Sequence, residues 1–173
     1  MDYIFDIDGT LLDITHRLKF IDGGRNPQPL TDEQQTASKK DWKSFRDPKQ
    51  KRWDEPILPV IYLMNSLHYE GHNIIIASGR TKDEESDTRK SLAVWAPYIT
   101  EVDSPVDYLI PMYMRSLNDY RKDAVVKSAM LDRMRLDGYD PKMVFDDRPT
   151  VINMWRDRGL VVADMRDPAK GDF

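Results

Sequence analysis

The sequence predicts an α/β domain: a parallel sheet with helices on both faces and a small lid inserted after the first strand. Three observations carry this expectation. Short apolar runs alternate with stretches of helical periodicity. The runs are apolar throughout, as strands covered on both faces are. Acids and a hydroxyl follow the runs, at the strand ends where open parallel sheets bind ligands.

Taken in order, Tyr3-Ile4-Phe5 reads as the first strand. The polar region from about Asp22 to Glu55 breaks the rhythm with Gly23-Gly24 and several prolines. So long a bare loop is unusual in a compact domain, and residues 22–55 are expected to form a lid. Ile57, Val60, Ile61, Met64 and Leu67 recur at helical spacing, with Gly71 as the stop. Asn73 to Ala77 is a buried strand, and a charged helix follows from about Asp83 to Trp95, broken by Pro97. Tyr108-Leu109-Ile110 reads as the third strand, closed by Pro111. Val126, Ala129, Met130 and Met134 stripe the next helix, with Asp119 as its N-cap and Gly138 as its stop. Met143-Val144-Phe145 is the fourth strand, Val151 to Arg158 a short helix, and Leu160 to Ala163 the fifth strand. No internal repeat is present, and residues 1–173 read as one domain.

Composition excludes several classes. The 173 residues are 40% hydrophobic, enough for one real core. With no cysteine, disulfide scaffolds, thiolate zinc sites and thiol nucleophiles are ruled out. No apolar run approaches the ~18 residues of a membrane span. A strand beginning at Tyr3 leaves no room for a signal peptide, so a cytoplasmic domain is expected. A net charge of −4 argues against coating nucleic acid non-specifically, though not against an enzyme acting on its ends.

The chemistry gathers at the strand ends. Asp6-Ile7-Asp8-Gly9-Thr10 follows the first strand, Ser78-Gly79-Arg80 the second and Asp146-Asp147-Arg148 the fourth, while Lys127 rides the helix after the third. Crowded carboxylates repel and coexist best around a hard cation, and oxygen ligands suit Mg²⁺. One aspartate can attack phosphorus, a second can move the proton, and a hydroxyl and a lysine can hold phosphoryl oxygens. Each residue has a plainer reading: Ser78 as a strand-end residue, Lys127 as a solvated charge, the acid pair as a turn with a helix cap. Their order and spacing favour the joint one. An EF-hand loop would need an acid at Thr10 and a preceding helix. A phospho-accepting receiver domain would want its acceptor where Pro111 stands.

These elements resemble the four motifs of the haloacid dehalogenase-like (HAD) phosphohydrolases, which have a Rossmann-like sheet. The resemblance implies Asp6 as nucleophile, Asp8 as general acid/base, Ser78 as phosphate ligand and Lys127 as the charge-balancing lysine. It implies Mg²⁺ held by Asp6, the backbone carbonyl of Asp8, and Asp146 or Asp147. With Arg17, Arg121-Lys122-Asp123 and the ending Gly171-Asp172-Phe173, the sequence is similar to the 3′-phosphatase domain of bacteriophage polynucleotide kinase–phosphatase. That similarity spans most of the chain outside residues 20–53. It implies Ser78, Gly79, Arg80, Arg17, Asp123 and Arg121 as substrate-binding residues, and a nucleic acid 3′ end or a nucleotide as substrate. No Gly-x-x-x-x-Gly-Lys-Ser/Thr loop occurs. A stand-alone phosphatase domain is implied, with a separate polynucleotide kinase or ligase as candidate partner.

Arginine suits phosphate geometry, yet Arg121 and Arg148 also read as ion-pair partners, and Arg148 as a buttress of the acid pair. His16, His68 and His72 lack metal-ligand spacing. The lid holds seven Lys/Arg and two Asp between Lys39 and Arg52, interleaved with Trp42 and Phe45 and followed by Trp53. Such a strip can follow a phosphate backbone. The plainer reading, favoured for Trp42 and Phe45, is that they anchor the lid to the core. Met112-Tyr113-Met114 reads as core. Three functions stand: a 3′-phosphatase of DNA or RNA, a mononucleotide phosphatase, and a non-catalytic end-binding module. An intact nucleophile and acid pair argues against the last.

Overall fold

A strand carrying three consecutive isoleucines, Ile74 to Ile76, is stable only where both of its faces are covered. The computed structural model, which describes residues 1–21, 41–100 and 109–166, shows how that cover is built. In chain order the elements are β1 (Asp2–Phe5), β2 (Leu12–Asp13), α1 (Thr15–Leu18), α2 (Trp42–Arg46), α3 (Pro48–Lys51), β3 (Glu55–Pro56) and α4 (Leu58–Tyr69). They continue as β4 (Asn73–Thr81), α5 (Glu85–Ala93), β5 (Met112–Arg115), α6 (Asp123–Leu136), β6 (Pro141–Asp146), α7 (Pro149–Asp157) and β7 (Val161–Asp164).

Five of the strands form one parallel sheet in the order β5-β4-β1-β6-β7. The chain winds outward from β1 to β4 and β5, then returns to the other side of β1 for β6 and β7. The carboxyl end of β1 therefore lies where the winding reverses, the usual ligand position in such sheets. Side-chain alternation divides the core into two layers. Phe5, Ile74, Ile76 and Phe145 face the layer holding Ile61 and Met64 of α4 and Leu92 of α5. Ile4, Ile75, Ala77 and Val144 face Met130 and Leu131 of α6 and Trp155 of α7. Phe5 and Phe145 stack at 4.4 Å between ring centroids, beneath Asp6 and Asp146.

After β1 the chain turns and leaves the sheet along β2, and it returns along β3. The two pair antiparallel, Leu12 with Pro56 and Asp13 with Glu55. Between them, Ile14, Leu18, Ile21 and Phe45 form a small core of their own beside the sheet's end. The described part of residues 22–55 thus holds two short helices, seated through Phe45 on that apolar cluster. Residues 22–40, with Gly23-Gly24, Lys39 and Lys40, lie outside the described residues, as do Tyr108 and the Gly171-Asp172-Phe173 ending.

Two sequence expectations need correction. Leu109 and Ile110 are not in a strand; β5 lies at Met112–Arg115, beyond Pro111. Proline has no N–H to give the ladder, so the strand begins after it. The following helix begins at Asp123 with Lys122 as its N-cap, and Asp119 is spent on the Arg121 backbone N–H and guanidinium. The Met112 and Met114 side chains are buried, as read. Ile75 is fully buried. Ile75→Ala is expected to cost about 2–5 kcal/mol in urea unfolding, and a loss below about 1 kcal/mol would contradict the layer assignment.

Candidate active site

The acids project where β1 and β6 end. Asp6 follows β1, Asp146 closes β6, and Asp147 follows it. Asp6, Asp146 and Asp147 are buried, and each offers an oxygen within 4.8 Å of the others. Three carboxylates this close need positive charge between them. Lys127, on the first two turns of α6, supplies part of it. Its Nζ is 2.9 Å from Asp6 Oδ1, 2.8 Å from Asp146 Oδ2 and 3.9 Å from Asp123 Oδ2. Burial alone would lower the lysine, but Asp146, Asp6 and Asp123 outweigh it and hold the ammonium charged well above its ordinary range.

The two acids of β6 differ. Asp146 has both oxygens engaged: Oδ1 accepts the Arg148 backbone N–H at 3.0 Å, and Oδ2 accepts Lys127 and the Trp155 indole N–H at 3.1 Å. Asp147 leans over Gly9, whose φ is +89°. A Cβ built there would stand 1.9 Å from Asp147 Oδ2. Glycine is thus required at position 9 both by the left-handed turn and by the approach of this carboxylate. Burial and the charge of Asp146 push Asp147 up to about 7. Burial also raises Asp6 well above its ordinary value; Lys127 opposes that, and Asp146 and Asp147 reinforce it.

Asp8 sits in a second charge cluster. Its Oδ1 accepts Arg17 Nη2 at 2.7 Å and Arg80 Nη2 at 2.5 Å. Both guanidiniums also reach Asp54. Arg17 donates through Nε and Nη2 at 2.7 and 2.9 Å, and Arg80 through Nη2 at 2.8 Å. Arg17 and the Asp54 side chain are almost wholly buried. Burial would raise Asp8, but Arg80 and then Arg17 override it and hold the carboxyl well below the usual range.

A third group frames Gly79. Asp123 accepts Arg115 Nη2 at 2.9 Å and Arg148 Nη1 at 3.1 Å, and a Cβ on Gly79 would stand 2.8 Å from Asp123 Oδ1. One cavity is lined by Asp6, Asp8, Arg17, Gly79, Arg80, Asp123, Lys127 and Asp147, with Arg115 and Arg148. Ser78 is buried beside it, its Oγ accepting the Arg80 backbone N–H at 3.2 Å. Arg121 is not brought to the cavity: its guanidinium is half-exposed and pairs with Asp119.

The sequence reading missed Asp54, Arg115 and Lys51. Asp54 lies just past the basic strip and has no motif of its own. Arg115 stands at the carboxyl end of β5, and placing that strand too early hid it. Lys51 of α3 lines the cavity and pairs with Glu84; burial and then Arg80 lower its ammonium to about 8. The lid aromatics divide: Phe45 is buried as an anchor, while Trp42 remains 41% exposed on the cavity wall.

Removing one member of a buried charge cluster leaves the others uncompensated. Asp54→Ala leaves two buried guanidiniums sharing Asp8, and is expected to cost about 3–5 kcal/mol in chemical denaturation. A change under about 1 kcal/mol would show that the cluster is not mutually dependent.

Comparison with known proteins bears on the fold and the family. A family model described as the polynucleotide kinase PNKP phosphatase domain matches residues 28–173. Among solved structures, a chain of a Pnkp1/Rnl/Hen1 RNA repair complex superposes with a TM-score of 0.63 at 24% identity, over 99% of this chain and 43% of that one. The chain thus spans less than half of that relative. A haloacid dehalogenase-like hydrolase of Streptococcus pneumoniae gives 0.62 at 15% identity, over 94% of this chain and 83% of that one. A phosphoserine phosphatase solved as a phospho-aspartyl intermediate analogue gives 0.53 at 13%, over 97% and 88%. At such identities the structures establish the shared fold, and the family match covers most of the sequence. The chain belongs to the PNKP phosphatase-domain family of HAD-like phosphatases.

Proposed function

We propose that the protein is a Mg²⁺-dependent phosphomonoesterase that removes a terminal 3′-phosphate from DNA or RNA. The observation that carries this reading is one cavity joining the Asp6–Lys127 pair to Arg17, Arg80 and a wall bearing Trp42 and Arg46, within a PNKP-type phosphatase domain. The first group suits attack on phosphorus, and the second suits a charged, ring-bearing leaving group.

The donor set fits magnesium. Asp6, Asp146 and Asp147 are hard oxygen ligands already gathered, and burial penalises Asp6 and Asp147 as free anions. Because both Asp146 oxygens are engaged, Asp147 is the direct ligand in this reading, beside Asp6 and the Asp8 carbonyl. The ion would neutralise phosphoryl oxygens and hold Asp6 ionised.

Asp6 attacks phosphorus, and the bond from phosphorus to the 3′-oxygen breaks, leaving an aspartyl-phosphate. Asp8 gives its proton to the departing oxygen, then takes one from the water that releases phosphate. Arg17 and Arg80 hold Asp8 as an anion in the resting geometry. The incoming phosphate dianion competes for those guanidiniums, and drawing them off lets Asp8 carry a proton. Lys127 stays fixed between Asp6 and Asp146 and offsets charge as the phosphoryl group transfers.

Phosphate release with Mg²⁺ is to be compared on a 3′-phosphorylated oligonucleotide, a 5′-phosphorylated one, and free 3′- and 5′-mononucleotides. The 3′-phosphorylated oligonucleotide is expected to be preferred, and Asp6→Asn to lose at least about 10³-fold in kcat. Preference for free 5′-mononucleotides would overturn the reading in favour of a mononucleotide phosphatase.

A linked expectation concerns pH. Asp147 has its carboxyl raised from 3.8 to about 7, so between those values the folded state keeps a proton that the unfolded state has lost. Stability of the metal-free protein therefore falls as pH rises through that window. Mg²⁺ is expected to raise Tm more at pH 7.5 than at pH 5. An equal or smaller rise at pH 7.5 would contradict Asp147 as ligand.

A further inference from the structure

The catalytic cavity does not end at the charged groups. Its lining also includes the apolar cluster of Ile14, Leu18, Ile21 and Phe45, together with Trp42 and Arg46. A second cavity runs along the outside of α2, lined by Trp42, Lys43, Ser44 and Arg46 among others. The two cavities therefore share Trp42 and Arg46. Those residues are four apart on one helix and so lie on the same face. The Arg46 guanidinium is 5.5 Å from the Trp42 ring centre, and the Trp42 ring meets Phe45 edge-on at 5.7 Å.

Two cations, Lys43 and Arg46, and two acids line this outer cavity, and the acids are turned to the backbone, Asp41 accepting the Ser44 N–H and Asp47 the Lys49 N–H. Lys43 and Arg46 are exposed cations three residues apart. An aromatic ring with cations just beyond it matches the chemistry of a nucleotide chain: a base face, then a phosphodiester.

We propose that Trp42 and Arg46 form a subsite for the strand leading to the reacting end. The base of the terminal nucleotide lies against Trp42, and Arg46 with Lys43 holds the phosphodiester joining it to the preceding nucleotide. The inference rests on the 3′-phosphatase reading and extends it: the preferred substrate is a polynucleotide end of at least two residues. Discrimination against a free nucleotide comes from the lid rather than from the phosphoryl site.

The test uses the full chain and measures kcat/KM on a nucleoside 3′-monophosphate, a 3′-phosphorylated dinucleotide and p-nitrophenyl phosphate. For the unmodified protein, the dinucleotide is expected to exceed the mononucleotide by about tenfold or more. Arg46→Gln is expected to cut that advantage to about twofold or less, and to reduce the salt slope of dinucleotide turnover by about 0.7. Trp42→Ala is expected to slow both nucleotide substrates by about tenfold relative to p-nitrophenyl phosphate. Lys49→Ala, an exposed cation of the same segment that lines neither cavity, should keep the full dinucleotide advantage. Arg46 is exposed, so its replacement tests binding rather than folding.

Equal turnover of mononucleotide and dinucleotide 3′-phosphates would overturn the subsite while leaving the 3′-phosphatase reading intact. So would an Arg46→Gln loss that is the same on both. Release from 5′-phosphates alone would overturn both.

Discussion

The gathering of acids at the end of β1 depends on one constraint: Asp6, Asp146 and Asp123 are all held against a single buried ammonium, Lys127. Without that charge, parallel strands ending in acids would be driven apart or forced to take up protons. With it, the sheet can present several carboxylates at the point where its winding reverses. The placement follows from the fold. Lys127 is one helical turn beyond Asp123, so α6 carries both the cation and one of its acids. Trp155, reaching from α7 to Asp146, ties the second core layer into the same network.

The charges fall into two clusters with different work to do. Around Lys127, acids are in excess and two of them are raised by burial, an arrangement that a divalent cation would complete. Around Asp54, two arginines and two acids close on one another, and Asp8 is the member nearest the reacting position. The lid segment contributes to the second cluster only. In the proposed mechanism, nucleophile geometry and proton delivery thus have separate supports.

Much of this was legible in the sequence, for physical reasons. Strands covered on both faces must be apolar throughout, so Ile74 to Ile76 and Met143 to Phe145 announced themselves, and the residues after them could be read as strand-end chemistry. Reading failed where proline interrupted a strand. Setting β5 before Pro111 hid Arg115, while Arg121, implied by the family resemblance, is left by the fold on the surface with Asp119. Asp54 was illegible for another reason: its partners lie 37 and 26 residues away, and the β2–β3 pairing that sets it beside Arg17 leaves no local sequence signal. Trp42 and Phe45 looked alike in sequence, yet only Phe45 found a seat among Ile14, Leu18 and Ile21.

The central claim is that the charge network at the end of β1 makes Asp6 the group that takes the phosphoryl from a 3′ end. The most direct measurement is acid quench of the Mg²⁺-loaded protein during turnover of an oligonucleotide carrying labelled 3′-phosphate, followed by peptide mapping of the label. The account expects the label on the peptide containing Asp6, and on the Asp6 side chain within it. Label on any other residue, or turnover with no protein-bound label under conditions that preserve acyl phosphates, would contradict it.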